Sequence, residues 1–361
     1  MTDAPLTHLR TLVDRLRSER RLSADGYKAL LLCADAGVCE YLHEQARQVA
    51  VERFGQRIFI RGLIEISNAC RNNCLYCGLR AMNRKLRRYT LSQSEILDCC
   101  RAGYRLGFRT FVLQSGEDKR GDNTWYVKLV EAIRREFPDC AITLSLGEKP
   151  PFLYRRLYQA GANRYLLRHE THNAAHYRQL HTAHMSQQHR LDCLVQLKEI
   201  GYQTGTGIMV GTPGQTVDHL VEDIEYIRAF RPEMIGIGPF IPPADTPFAD
   251  QPAGSVGMTL KLLSLFRLMH PAALIPATTA LATLAPNGRQ QGILAGANVV
   301  MPNLSPPETR AQYAIYNNKA SLGAESAEGL ALLARELNDI GYRIAYERGD
   351  YQQEPSPCNN E

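Results

Sequence analysis

The chain has 361 residues, 44% hydrophobic and 22% charged, an ordinary globular composition that excludes bulk disorder and suffices for one large domain or two small ones. Lysine and arginine total 42 against 37 acidic residues, a formal charge of +5 that implies no non-specific grip on nucleic acid. No run approaches the roughly 18 apolar residues of a membrane span and the opening MTDAPLTHLR lacks the pattern of an export segment, so a cytoplasmic protein using neither membrane nor nucleic acid is expected.

Residues 1–54 carry helical periodicity without strand runs, through Leu9, Leu12, Val13 and Leu16 and again from Tyr41 to Val51, which predicts a helical N-terminal extension. From Gln56 short β-branched or aromatic runs alternate with amphipathic stretches, the signature of βα units. Strands are expected at 58–67, 110–114, 141–146, 164–168, 204–210, 234–238, 273–277 and 298–301. Helices are expected between them, among them 92–106, opened by a Ser92/Glu95 capping pair, and 216–230. Eight such strands over roughly 250 residues fit a complete (β/α)8 barrel at 55–320, with an open doubly wound sheet as the alternative. Residues 321–361 are expected to form a C-terminal helix and, after about Asp350, a polar, frayed tail in which Cys358 is an exposed thiol without a role.

Polar or glycine-rich segments follow the strands at 115–118, 147–148, 169–171, 211–214, Pro239 and 278–279, and in a barrel these ends share one mouth. Directly after the first strand lies NACRNNCLYCGLR, with Cys70, Cys74 and Cys77 in a Cys-x3-Cys-x2-Cys spacing. Three soft thiolates on one short loop suit three corners of an iron–sulfur cubane and leave the fourth iron open. A zinc site is the alternative and would need a fourth ligand from elsewhere. Cys33, Cys39, Cys99, Cys100, Cys140 and Cys193 fall in apolar patterns and read as small core residues. Ten cysteines in so long a chain point to a reducing compartment rather than a disulfide framework.

The triplet with its aromatic Tyr76 resembles the radical S-adenosylmethionine (SAM) superfamily. There the open iron chelates the methionine part of SAM, and an electron from the [4Fe-4S] cluster cleaves a C–S bond to give a 5′-deoxyadenosyl radical. Within it the ordered segments RGLIEISNACRNNCLYCG, FVLQSGED, TLSLGE, RYLLRHET, MVGTPGQT, IGIGPFIP, IPATTA and NVVMPN, spanning 56–316, resemble the radical SAM maturases of the [FeFe]-hydrogenase H-cluster.

The methionine ammonium and carboxylate call for an acceptor and a cation, and the resemblance gives these roles to Glu170 and Arg190. Arg190 could equally be a surface charge on its helix. Ser115 and Gly116 resemble the segment along the methionine and ribose, while Met209 and Ile237 are candidates to pack on the adenine or else belong to ordinary barrel packing. Arg164 and Arg168 share one face of a strand and call for an anionic ligand or an internal salt bridge. Thr143, Thr278 and Thr279 offer hydroxyls to the same ligand, and Met234, Met301 and Tyr313 resemble residues lining the family's cavity.

The resemblance alone implies the substrate, a small organometallic iron species carrying cyanide, carbonyl and cysteine that a partner maturase supplies. It also implies a reduced donor such as ferredoxin or flavodoxin. Some family members hold a second cluster on three further cysteines, but the corresponding IYNNKASLGAESAEGL has none, so one cluster is expected. Arg71, Arg80, Arg84, Lys85, Arg87 and Arg88 form a basic run without an acid, read as a solvated face or as a dock for an acidic donor or maturase. Competing functions are a methylornithine synthase-like mutase and a non-catalytic iron–sulfur carrier; biotin synthase fits less well, since ligands for its second cluster have no clear match.

Overall fold

The computed structural model describes residues 3–118, 123–319 and 323–353; Cys358 lies outside them. Helices α1 (Asp3–Glu19), α2 (Ala24–Leu32) and α3 (Ala36–Phe54) come first, as the periodicity predicts. Strands and helices then alternate: β1 (Arg57–Ile60), β2 (Gly62–Ser67), α4 (Gln93–Arg105), β3 (Thr110–Ser115), α5 (Asn123–Glu136), β4 (Ala141–Ser145), α6 (Pro151–Gln159), β5 (Arg164–Leu166). The order continues with α7 (Ala174–Leu180), α8 (Gln187–Ile200), β6 (Gln203–Thr206), β7 (Met209–Val210), α9 (Val217–Phe230), β8 (Met234–Ile235), β9 (Gly238–Pro239) and α10 (Val256–Met269). It ends with α11 (Thr279–Leu284), α12 (Gly288–Leu294), β10 (Val299–Val300), α13 (Pro307–Arg310), α14 (Leu330–Asn338) and β11 (Arg343–Ala345).

Local chemistry accounts for the helix starts that the sequence marks. Ser92 accepts from the Glu95 amide while the Glu95 carboxylate takes the Ser92 amide, a complete capping box. Behind it Ile96, Cys99, Cys100 and Gly103 recur on one face and are buried. Thr216 and His219 cap α9 in the same reciprocal way.

Every ladder is parallel, in the order β2-β3-β4-β5-β6-β8 with β7 beside β9. The ring closes through single bridges, Met234 to Leu274 and Pro276 to Val299, and through β10 beside β1. This is the expected (β/α)8 barrel with its helical extension, and not an open sheet. The seventh strand is reduced to those two bridges because Pro276 has no amide hydrogen and cannot propagate a ladder.

The first strand changes partners at Arg61. Below it β1 lies between β10 and β11, and above it β2 pairs with β3. Ile58, Ile60, Ile64 and Ile66 face the main core under the helices, so by the two-residue period Phe59, Arg61, Leu63 and Glu65 face the lumen. A second apolar cluster of Phe59, Met234, Leu274, Val299 and Ala345 fills the lumen floor.

The residues up to Asp350, just before the polar tail, belong to that floor. β11 pairs with β1, and the carbonyls of Arg348 and Gly349 and the carboxylate of Asp350 receive Arg164 Nη2 at 2.9, 3.1 and 2.7 Å. On the flank, α3 packs on α1 and α10, and His43 Nδ1 lies 2.8 Å from Ser264 Oγ. Among the described residues no helix is long and apolar enough to cross a membrane.

Candidate active site

The cysteines lie on the long connection between β2 and α4, which polar side chains fold back over the mouth. Asn68 Nδ2 donates to the carbonyls of Arg87 and Gln312, both at 2.8 Å, while its Oδ1 accepts the Tyr89 amide. The Arg88 guanidinium donates to the carbonyls of Asn68, Leu79, Arg80 and Asn83, so this member of the basic run is spent inside the loop. Gly116 lies so near the loop that a Cβ there would collide with Ala69 O and Cys70 Cβ.

Cys70, Cys74 and Cys77 are half-buried free thiols. Burial raises the pKa of each, that of Cys77 to about 12, and neighbouring thiols of the triplet raise Cys74 and Cys77 further. Such thiols stay protonated unless a metal claims them. Among the described residues no group of three His, Cys, Asp or Glu side chains could hold a single metal ion. Three thiols on one loop are instead the donor set for three irons of a cluster, with the fourth iron left open.

The candidate cofactor residues surround this triplet. The Glu170 charge acts on both Tyr76 and Cys77, and the Arg190 charge on Cys74 and Tyr76. Glu170 is buried, receives Arg168 Nη2 at 2.9 Å, and sits at φ +68°, a left-handed conformation unusual for a residue with a side chain. Arg190 is also buried, which removes the surface-charge reading. Its Nε donates to Glu148 Oε1 at 2.9 Å, Nη1 to the Arg168 carbonyl at 3.1 Å, and Nη2 to Glu117 Oε1 at 3.5 Å. Ser115 Oγ donates to the Gly116 carbonyl.

Met209 is buried on β7. Ile237 requires a correction: its side chain lies in the helix-facing core, where it is fully buried, so only its backbone can face a cofactor. The close approach expected of the strand glycines is present, since a Cβ on Gly207 would overlap the Gly236 carbonyl.

The substrate candidates separate into three groups. Arg164 is the principal correction. It starts β5 at the floor, is fully buried, and is consumed by Asp350, two carbonyls, Gln203 and Thr110. The salt-bridge alternative therefore holds for it, and Arg168, four positions further on, lies beyond the end of β5 at the mouth. Thr279 is likewise engaged, donating to Glu325 Oε2 at 2.9 Å. Met234 and Met301 belong to the apolar floor.

Other donors have no partner within the protein: Arg168 Nε, Thr143 Oγ1 and Thr278 Oγ1 are buried and unbonded. Tyr313 is buried beneath Lys319, at 5.1 Å from the ammonium, and its hydroxyl feels Glu65, Cys77 and Cys70.

Four residues escaped the sequence reading. Glu117 and Glu148 fix Arg190, and both stood in the strand-end segments SGED and LGE. His181 meets Tyr76 across the mouth. Arg61 is buried in the lumen, where Nη1 reaches Met234 Sδ at 3.2 Å and Nε and Nη2 have no partner. Its position in a strand whose alternate residues are isoleucine marks it as lumen-facing, a signal available in the sequence.

Comparison with known proteins agrees with this geometry. Residues 64–227 match the Radical SAM superfamily. The chain is 43% identical over 340 residues, 94% of its length and 97% of the relative's, to the [FeFe] hydrogenase maturase subunit HydE of Thermotoga maritima. It is 30% identical over 81% of its length, and 83% of the relative's, to a 3-methylornithine synthase of Methanosarcina acetivorans. The crystal structure of methylornithine synthase (PylB) superposes with a TM-score of 0.82 at 27% identity, covering 92% of this chain and 97% of that one. The chain thus belongs to the radical SAM superfamily, enzymes that use a [4Fe-4S] cluster and SAM, and within it to the HydE family.

Proposed function

We propose that this enzyme cleaves SAM reductively at the barrel mouth and directs the resulting radical onto a small iron-bound substrate carrying cysteine, carbonyl and cyanide, during assembly of the [FeFe]-hydrogenase H-cluster. One observation carries the reading. Three thiols, Tyr76, Glu170 and Arg190 gather above a lumen in which Arg61 Nε and Nη2, Thr143 Oγ1, Arg168 Nε and Thr278 Oγ1 are buried without partners. Unpaired buried donors are costly in an empty protein and favourable against an anionic or strongly polarised ligand.

Cys70, Cys74 and Cys77 would each ligate one iron of the cluster. When bound, the cluster supplies the electron that breaks a C–S bond of SAM and so delivers the 5′-deoxyadenosyl radical. Glu170 would accept from the SAM ammonium, and Arg190, held in place by Glu148 and Glu117, would meet its carboxylate. Ser115, Gly116, Tyr76, Met209 and the Ile237 backbone would border the nucleoside. Below them Arg168, Arg61, Thr143 and Thr278 would orient the substrate, with Tyr313, Met234 and Met301 as apolar wall. The closed ring and apolar floor keep water from the radical's path.

The same reading implies a reduced electron donor of the ferredoxin or flavodoxin kind and a partner maturase as substrate source. It places the enzyme in the cytoplasm, a reducing compartment suited to nine free thiols among the described residues.

The test is anaerobic reconstitution with SAM and dithionite. 5′-Deoxyadenosine should form and should accelerate when an iron–cysteine complex bearing carbonyl and cyanide is added. A carrier would form none. Acceleration by lysine with release of methylornithine would assign the chain to the mutase class instead.

A further inference from the structure

The basic run above the triplet resolves into residues that fold the loop and residues that face solvent. Arg88 is bound to four carbonyls, Arg80 is half-buried, and Arg71 reaches the buried Glu117 at 3.4 Å. Arg84 and Arg87 are exposed, and among the described residues no hydrogen bond or ion pair engages either side chain. Lys85 is exposed beside Asp245, 2.8 Å away, the one carboxylate paired with residues 80–88 among the described residues.

Between these cations and the triplet stands Met82, 69% exposed and the most exposed large hydrophobic side chain of the described residues. Its amide donates to Asn73 Oδ1 at 2.8 Å, the Ala81 amide donates to the Asn72 carbonyl at 2.8 Å, and Asn73 directly precedes Cys74. Cys74 Sγ also lies 3.8 Å from Met185 Sδ, on the half-exposed loop after α7. An apolar knob hydrogen-bonded to the residue before Cys74 thus stands beside the exposed Arg84 and Arg87.

We propose that this patch, built by Met82, Arg84 and Arg87, is the docking surface for a small acidic one-electron redox protein. The proposal rests on the radical SAM reading, in which each turnover consumes one electron. That electron leaves the reduced donor, enters through the Asn73–Cys74 segment and is used in splitting SAM into methionine and the deoxyadenosyl radical. Redox partners meet briefly through small, charge-steered interfaces, and methionine is a residue that adapts to such contacts. The opposing acid comes from the donor, because among the described residues neither arginine has a carboxylate partner.

The experiment compares two reductants on the reconstituted enzyme. With reduced flavodoxin at low ionic strength, Arg84→Glu combined with Arg87→Glu should slow 5′-deoxyadenosine formation about tenfold and remove its inhibition by salt. Met82→Ser should slow it by a smaller factor. With dithionite the same variants should stay within about twofold of the parent, since a small reductant needs no docking surface. Equal losses with both reductants would show that the residues serve the loop, and unchanged flavodoxin-driven rates would show that the patch has another purpose; either overturns the proposal. Absence of dithionite-driven cleavage in the parent would instead sink the functional reading beneath it.

Discussion

The rings of Tyr76 and His181 meet edge to face with centroids 5.3 Å apart, and the phenol oxygen lies 3.0 Å from Nε2. On its other side His181 Nδ1 is 3.0 Å from the Tyr177 carbonyl, which can only accept. Nδ1 therefore carries the proton, and Nε2 accepts from the Tyr76 hydroxyl. The only aromatic side chain of the cysteine motif is thus held by a histidine more than a hundred residues away in sequence, between the triplet and Glu170.

His181→Ala should free that ring without touching a cysteine. The expected result is a several-fold rise in KM for SAM with a smaller change in kcat, the loss of roughly one hydrogen bond and an aromatic contact, about 1–2 kcal/mol. His181→Gln, which can still donate and accept, should recover part of the affinity. Steady-state 5′-deoxyadenosine formation at varied SAM measures both, and an unchanged KM in the alanine variant would show that Tyr76 needs no brace.

Arg190 carries a double load, because it faces the triplet while compensating two buried carboxylates. Arg190→Met should weaken SAM binding by about two orders of magnitude and also destabilise the fold by about 3 kcal/mol, since Glu148 and Glu117 lose their cation. Arg190→Met combined with Glu148→Gln should regain stability but not affinity. Equilibrium SAM titration and urea denaturation separate the two effects, and joint recovery would refute the ligand role.

The barrel and the mouth were legible in the chain because short β-branched or aromatic runs alternate with amphipathic stretches and end in polar or glycine residues. The triplet was legible because its ligands lie within eight residues of sequence. What escaped depends on long-range pairing. β11 is a three-residue strand whose only ladder is with β1, nearly three hundred residues earlier, and no local pattern announces such an addition. Arg164 and Arg168 look alike in sequence, yet one enters the strand at the floor and the other leaves it at the mouth. Only the position of Asp350 tells them apart.

That floor gives the next expectation. Asp350→Ala removes the one carboxylate from the fully buried Arg164 guanidinium, which keeps neutral partners only. A loss of about 3 kcal/mol is expected, read as a lower urea midpoint. SAM cleavage at moderate temperature should survive, because the mouth is untouched. Parental stability in this variant would show that the backbone carbonyls alone satisfy Arg164.

Stability should depend on pH through buried histidines. Burial lowers His43, His176 and His270 to about 4 and His169 and His181 to about 3, against an ordinary value near 6.5. Between about pH 4 and 6.5 the unfolded chain therefore binds protons that the folded chain refuses, so this contribution is full above 6.5 and is lost on acidification. Asp223 opposes with one proton: burial raises it to about 8, so its contribution falls as pH rises toward that value. Unfolding at pH 5 should take up about four protons, with maximal stability near pH 7, where the remaining histidine uptake balances the one proton of Asp223. Urea midpoints of the cluster-free protein across pH 5–8 test this, and a flat profile would contradict it.

Arg61 offers the sharpest separation of stability from function. Its guanidinium is buried in the lumen with two nitrogens unpartnered, and desolvation, helped by the Arg164 charge, holds its pKa well below the ordinary arginine range. A group kept only for the fold would be expected to have its hydrogen bonds satisfied. Arg61→Met replaces it with an apolar side chain of similar length beside the apolar floor, and such exchanges are neutral or stabilising by about 1–4 kcal/mol. The variant should denature at equal or higher urea and retain substrate-free SAM cleavage, which occurs at the mouth. Its acceleration by the iron–cysteine substrate should fall at least tenfold, with a raised half-saturation concentration, because the lumen loses a cation aimed at a polarised ligand. Lower stability together with undiminished acceleration would reverse both expectations and make Arg61 a structural residue.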